Sequence, residues 1–524
     1  MGDSEQIGLN AHLMPLTTVN AQRGINRATA SAGSRVFRFA MGAAVSDFLA
    51  AYPDYAATAR LDELRASEYS YLDAGGHVYL DYTGAGLASD AQLRAHVERV
   101  RGGCFGNPHS ESPASAASTL LVEQARRAVL RYFNAAAEEY AVIFTQNATG
   151  ACRLVGEAYP FGSRSRLVLT ADNHNAMNGI REFARAGGAA VRYVSVSAAD
   201  LRVAEAEVAA ALGRAEPPGR SGRQGLFGYP AQSNFSGVQH PLAWVDLAQA
   251  AGYDVLLDAA AFVPTNRLDL AVVKPEFVTV SWYKMFGYPT GIGCLLARRD
   301  ALARLRRPWF SGGTVWGASV LGGWHRLADD ETAFEDGTVN FLGIPDVTAG
   351  LAWISDIGID LIHRRVGYLT SWLLGCLAGL KHGDGTPMVR LYGPPDGEAR
   401  GGTVTFNFLD ARGAVVDERA VARDASADGI SLRAGCFCNP GAGEQAFGLT
   451  RRVVREGWRE FGRRDLRTID DYLELTGLPS GGAVRVSLGL VSSVGDIERF
   501  LDFAERTYRD REPGRDGLAP RLRC

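Results

Sequence analysis

From residue 77 onward, short apolar runs alternate with stretches whose apolar positions recur at helical spacing. Residues 77–86, HVYLDYTGAG, read as a short strand running into a glycine turn. Residues 117–133 predict a helix, and the strand-like AVIFT at 141–145 follows, then NATGACRLVGEAY, a turn that opens a helix. The order repeats. RLVLTADN at 166–173 is a strand and NAMNGIREFARAGG a helix, with a further strand at 191–196 and a helical run at 201–213. PPGRSGRQG at 217–225 reads as an exposed loop, and a helix is expected near 241–251. DVLLDAAAF then gives a strand and its end, and FVTVSWYKMFGYPTGIGCLLAR two strands around a loop.

Strands alternating with helices of this length predict an α/β fold, a large mixed, mostly parallel sheet covered by helices on both faces. A catalytic crevice is expected beyond the carboxyl ends of its strands. After about residue 355 the pattern changes. MVRLYGPP, GGTVTFNFLD and VRVSLGL at 484–490 are shorter strands of a smaller α+β unit. The reading divides the chain into an N-terminal extension with the start of the small domain at 1–70, a large domain at 71–354, a small C-terminal domain at 355–505, and a loose polar tail at 506–524. Residues 1 to about 40 have little periodicity and read as a disordered arm or one that wraps a partner subunit.

The chain has 524 residues, 46% of them hydrophobic and 22% charged, enough for a large core and against wholesale disorder. A net charge of -3 gives no reason to expect a nucleic-acid partner, although a small phosphate can still sit in a locally positive cleft. No apolar run reaches membrane-spanning length and the N-terminus does not resemble a signal peptide, so a soluble cytoplasmic protein is expected. The seven cysteines are an odd number in a long chain, which argues against a secreted disulfide scaffold. Cys104, Cys152, Cys294 and Cys376 read as buried small residues, and Cys524 as a tail residue.

Only Lys274, Lys284 and Lys381 are lysines, so chemistry that needs a deprotonatable amine has few candidates. Lys284 follows an apolar strand and precedes a Gly- and Pro-containing loop; desolvation there would lower its pKa and make it a nucleophile toward an aldehyde. Asp258 ends an earlier apolar run, where a buried carboxylate needs a partner such as a protonated pyridine nitrogen. Taken alone, Lys284 reads as a surface or ion-pair lysine; the ordered pair favours a cofactor. His174, at a strand-to-helix junction, suits stacking on an aromatic cofactor or proton transfer, and equally a cap for the helix. Thr149 and the amides beside it, in NATG, suit a phosphate at a helix N-terminus, and equally an ordinary N-cap.

Cys436 and Cys438 lie in LRAGCFCNPGAG. C-x-C is a weak metal signal without further ligands, so no metal site is assigned. A disulfide within the pair is strained, and a buried structural thiol is the plain alternative. A mobile loop suits a nucleophile that must approach a cofactor.

LDYTGAG, NATGA, ADNHN, LLDAAAF and SWYKMFGYPTGIG together resemble the class V aminotransferase-like enzymes of pyridoxal-phosphate fold type I. The likeness runs from about residue 70 to 500. Within that family, RAGCFCNPGAG is similar to the cysteine segment of the NifS-like domain of molybdenum cofactor sulfurases. The resemblance implies pyridoxal 5'-phosphate as cofactor, with Lys284 its covalent anchor, Asp258 the partner of its ring nitrogen and His174 stacked over the ring. Thr149, Gly150, Ser281 and Tyr283 are implied around the phosphate, with Thr314 reaching the phosphate of a neighbouring subunit, so a homodimer with a shared site is expected. Asn234 is implied at the cofactor or the substrate carboxylate, and Arg485 as the grip on that carboxylate. Without the resemblance, Arg485 reads as a domain-interface ion pair.

The activity so implied is that of a cysteine desulfurase-like sulfurtransferase. Lys284 removes the α-proton of L-cysteine or a related amino acid, His174 assists, and the Cys438 thiolate takes the sulfur as a persulfide while alanine leaves. The acceptor would be a separate protein or a small molecule. The alternatives are a C–S lyase or another β- or γ-elimination or substitution enzyme of secondary metabolism, and a non-enzymatic protein on the same scaffold. The sequence departs from the family at Gly443, where a cysteine is common, and at Ala261, where cysteine desulfurases carry Gln. It ends at Cys524, so the additional C-terminal domain of the eukaryotic sulfurases is not expected.

Overall fold

The computed structural model describes residues 45–521 apart from 109, 214–221, 464–467, 479, 513, 515 and 516. Contacts divide the chain into residues 1–47 and 48–524, and the elements that follow belong to the second unit. The expected N-terminal arm lies outside the described residues. Seven strands form the large sheet: β1 (Tyr140–Thr145), β2 (Arg166–Thr170), β3 (Ala190–Val194), β4 (Gly225–Pro230), β5 (Tyr253–Asp258), β6 (Phe277–Ser281) and β7 (Gly293–Arg298). Their spatial order is β1-β7-β6-β5-β4-β2-β3. β7 runs antiparallel to both neighbours and the remaining pairs are parallel.

The interior strands are buried along nearly their whole length because helices cover both faces, which is why they read as unbroken apolar runs rather than alternating ones. Phe277, Val278 and Val280 of β6 are fully buried, each contributing about 1.5–3 kcal/mol relative to exposure. β3, at the edge, is largely exposed, Tyr193 included, with Val194 buried. Pairing sets Pro230 beside Asp258 and Asp258 beside Thr279, and it sets Ser281 and Thr145 on either side of Gly293. The carboxyl ends of the central strands therefore arrive at one level.

A hairpin of β8 (Val315–Ser319) and β9 (Trp324–Leu327) follows, which the sequence reading did not foresee. Helices Ile344–Ile357 and Ile359–Gly379 then lead to a four-stranded antiparallel sheet. Its strands are β10 (Val389–Tyr392), β11 (Thr403–Phe408), β12 (Arg433–Gly435) and β13 (Ala483–Ser487), in the order β10-β11-β13-β12. Three expectations need correction. The helix expected from 201 begins only at Glu205, after Leu201 adopts a left-handed φ of 56°. Between β6 and β7 lies a short helix, Trp282–Phe286, rather than a loop alone. The tail is not loose throughout: Arg521 donates to Asp417 and Glu418 at 3.0 and 2.8 Å, and its carbonyl accepts from Ile469 at 2.7 Å.

Residues 77–86 meet the large sheet through their glycines and amides. The Gly86 N–H donates to the Tyr283 carbonyl at 2.8 Å. Gly287 has φ 75°, and a Cβ there would fall 2.2 Å from the Ala88 nitrogen, so this contact beside Lys284 requires glycine.

Candidate active site

A cavity of about 340 Å³ opens at the carboxyl ends of the strands, within the size range of small-molecule sites. Asn147, Ala148 and Thr149 line one side, at the start of helix α1 (Ala148–Ala158). His174 and Asn234 enter from the segments after β2 and β4. Asp258 closes β5, Ser281 closes β6, and Tyr283 and Lys284 lie one helical step beyond. The structure thus brings together Lys284, Asp258, His174, Thr149, Asn234, Ser281 and Tyr283.

Burial pushes the Lys284 pKa down, and the carboxylate of Asp258 opposes that shift only in part. The amine is therefore held toward its neutral, nucleophilic form. Asp258 is fixed by the Thr279 hydroxyl at 3.1 Å and the Ala260 N–H at 3.0 Å, both on Oδ1. His174 does cap a helix, its Nδ1 accepting from the Ala176 N–H at 3.1 Å, and it lines the cavity as well. That bond assigns the hydrogen of the neutral ring to Nε2. Burial, and then the positive charge of Lys284, lower the His174 pKa.

The cap of α1 answers another alternative. Asn147 Oδ1 accepts from the Gly150 N–H at 2.8 Å, so this amide is taken, and Gly150 does not line the cavity. The N–H groups of Ala148 and Thr149 lie too early in the helix to have intrahelical acceptors, and the positive helix end favours an anion there. The Ser281 hydroxyl, 1% exposed on the cavity wall, has no hydrogen-bond partner. An orphaned buried hydroxyl beside a helix N-terminus, a desolvated amine and a strand-end carboxylate fit pyridoxal phosphate, whose phosphate, aldehyde and ring nitrogen require those three kinds of group.

Besides Gly150, the expected residues Thr314, Arg485 and Cys438 lie away from this lining. Thr314 is buried in its own loop, its hydroxyl donating to the Ser311 carbonyl at 2.8 Å. Arg485, 4% exposed, donates to Asp81 Oδ1 and to the Asn234 carbonyl, both at 3.0 Å. Arg433 takes the other oxygen of Asp81 at 2.6 Å. Arg485 is thus an ion-pair residue and a neighbour of the cavity-lining Asn234 at once.

Cys438 is free and exposed, while Cys436 is disulfide-bonded, so the two do not bond to each other. The loop that carries them is hydrogen-bonded to its surroundings at several points. Phe437 and Cys438 both adopt left-handed φ, 55° and 52°. The Cys438 carbonyl accepts from the Asn175 N–H at 2.7 Å, and the Phe437 carbonyl from Asn234 Nδ2 at 2.8 Å. Asn439, fully buried, donates to the Asp172 carbonyl at 2.7 Å and to Asn234 Oδ1 at 2.9 Å, and it caps helix α2 (Pro440–Ala446). A Cβ on Gly441 would fall 2.1 Å from the Ala171 oxygen, so α2 sits directly on the end of β2. The cysteine that does line the cavity is Cys152, and burial raises its thiol pKa well above the usual value, which leaves it neutral and inert. Cys104 is exposed rather than buried.

Sequence reasoning missed Asp81, Asn439, Phe437 and the cavity residues Gln146 and Gln232. Only Asn439 carried a local signal, an Asn-Pro step opening a helix.

The family model described as aminotransferase class-V matches residues 78–500. Over 493 residues the chain is 36% identical to the molybdenum cofactor sulfurase of Solanum lycopersicum, covering 88% of this chain and 59% of that one. Over 467 residues it is 35% identical to the molybdenum cofactor sulfurase of Homo sapiens, covering 84% and 51%. The chain thus spans about half to three-fifths of the length of these relatives. The apo structure of a cysteine desulfurase from Thermococcus onnurineus NA1 matches with a TM-score of 0.69 at 22% identity, over 85% of this chain and 98% of that one. The cysteine desulfurase CsdA of Escherichia coli matches with a TM-score of 0.65 at 20% identity, over 85% and 98%. The likeness to these two structures is one of fold.

Proposed function

The chain belongs to the class V aminotransferase family, and from that premise we propose that it uses pyridoxal 5'-phosphate to take sulfur from L-cysteine or a related amino acid and to carry it on Cys438. One juxtaposition carries the reading: a desolvated lysine facing a strand-end carboxylate, with a turn bearing a free thiol hydrogen-bonded to the same cavity wall through Asn234. The names of the curated relatives support sulfur transfer as the reaction class, and the acceptor is proposed as a protein or small molecule.

When bound, the cofactor supplies an electron sink in conjugation with the substrate's α-carbon. Asp258 keeps a proton on its ring nitrogen. Thr149, Ser281 and Tyr283 would hold the phosphate, and the Lys284 amine would anchor the aldehyde carbon. The Lys284 amine would accept the α-proton at Nζ, while Nε2 of His174 would exchange a proton with the substrate. Arg485 holds the substrate carboxylate, which orients the α-hydrogen for removal. The Cys438 thiolate attacks the substrate sulfur, and an S–S bond forms as the carbon–sulfur bond breaks. The β-carbon left with the electron pair takes up a proton, Lys284 returns the α-proton to the α-carbon, and alanine leaves.

The large domain at 71–354 would supply the cofactor site and the small domain at 355–505 the thiol. Thr314 is proposed to serve the cavity of a second copy. The exposed Trp316, Val320, Leu321 and Trp324 of the neighbouring hairpin support such an interface, and Val320→Asp with Leu321→Asp is expected to shift sedimentation from dimer to monomer. Among the described residues no helix is long and apolar enough to cross a membrane. A lyase is the second reading, favoured by the exposure of Cys438 outside the cavity lining. Turnover of L-cysteine by Cys438→Ala separates the two. Sulfur transfer predicts loss of sulfide release to dithiothreitol, and a lyase predicts that release continues.

A further inference from the structure

Resting on the sulfur-transfer reading, we propose that Phe437 is a positioning residue that couples occupation of the carboxylate grip at Arg485 to the placement of the Cys438 thiol. In the structure the thiol is exposed and lies off the cavity lining, so the turn that bears it must change for the sulfur to meet a bound substrate. That turn is strung between two consecutive left-handed residues, a backbone state that side-chain-bearing residues leave readily unless they are held.

The holding contacts converge on Arg485. Its guanidinium lies over the Phe437 ring, 4.8 Å from the centroid, an attraction that strengthens when desolvated. The Phe235 ring packs against Phe437 at 5.4 Å, so the aromatic face is clamped between two neighbours. Arg485 also donates to the Asn234 carbonyl at 3.0 Å, and the same Asn234 donates through Nδ2 to the Phe437 carbonyl at 2.8 Å. Ring and backbone of Phe437 are thus both tied to one guanidinium. That guanidinium is not at rest in its bonding: its Nε is buried without a partner, and its ion pair with Asp81 is shared with Arg433. A carboxylate arriving at Arg485 competes with Asp81 and satisfies the orphaned donor. Any resulting shift of the guanidinium passes directly to the residue before Cys438.

The test uses the holoenzyme and the alkylation of Cys438 by iodoacetamide, followed by peptide mass. L-alanine carries a carboxylate and no sulfur, and ethylamine has the amine alone. Saturating L-alanine is expected to change the alkylation rate by about fivefold or more, the usual range for coupled sites, and ethylamine by less than about twofold. Phe437→Leu is expected to remove the response to L-alanine. It should also lower kcat for sulfide release to dithiothreitol by roughly 10–100-fold with little change in KM, as misplacement of a reacting group does, and Phe437→Tyr should restore both. A response to L-alanine that survives in Phe437→Leu, or an equal response to ethylamine, overturns the proposal. The comparison of L-alanine with ethylamine needs no variant, so a misfolded Phe437→Leu does not shelter the idea. If Cys438 gains no sulfur from L-cysteine while the response to L-alanine persists, the sulfur-transfer reading falls and the coupling stands.

Discussion

Lys284 and Cys438 are the two proposed nucleophiles, and opposite means place them. Lys284 stands at the end of a fully covered sheet, where burial strips its water and lowers its pKa. Cys438 sits exposed on a turn beside the smaller sheet; the Phe437 and Cys438 carbonyls accept hydrogen bonds there, and both residues are left-handed. One group is held toward its neutral form by burial and the other is exposed; in the proposed reaction the exposed one must be delivered to the cavity. A sulfur carrier needs both properties, since its thiol has to visit the cofactor and then an acceptor outside.

The sharpest way to break the comparison is to remove the buried amine. Lys284→Ala is expected to lower alanine formation from L-cysteine by ~10³-fold or more, because anchor and proton acceptor are lost together. Cys438→Ala should act at the other end only. The cofactor remains covalently attached by its absorption spectrum, while sulfide release to dithiothreitol falls by about 10²-fold or more. Equal loss of attachment in both variants would erase the distinction.

Asn439→Ala probes the pinning of the turn. It strands the Asp172 carbonyl and Asn234 Oδ1 inside the protein, at a cost of about 1–3 kcal/mol in denaturant unfolding. Asn439→Ser, which keeps a cap for α2, should recover part of that loss. The smallest effect concerns the buried amine without its cofactor. A lysine whose folded pKa lies below its unfolded value destabilises the fold as pH falls from the ordinary lysine range, near ~10.4, to the lowered value, because the unfolded chain then binds the extra proton. Lys284→Met should abolish that slope and raise the melting temperature of the cofactor-free protein at neutral pH by about 1–2 °C.

The same contrast decides what was legible in the sequence. Strands β5 to β7 were readable because helices on both faces demand unbroken apolar runs, and Asp258 and Lys284 stood out as polar interruptions at the ends of such runs, whereas β4 was not read as a strand. Phe437 and Asp81 carried no comparable mark. Their roles arise through space, from Arg485 over one ring and against one carboxylate, between residues distant in the chain. Thr149 and His174 were each open to two readings; the cap at NATG is Asn147 rather than Thr149, and His174 both caps a helix and lines the cavity. His174 caps a helix with one nitrogen and leaves the other available. The anchoring of the tail by Arg521 was invisible for a related reason, because its acidic partners Asp417 and Glu418 lie about a hundred residues earlier.

The most direct test of sulfur transfer through Cys438 is single-turnover mass spectrometry of the holoenzyme mixed with L-cysteine, following products and peptide masses together. The account predicts that the peptide containing Cys438 gains the mass of one sulfur atom as one equivalent of alanine appears. Pyruvate and free sulfide with an unmodified Cys438 would contradict it.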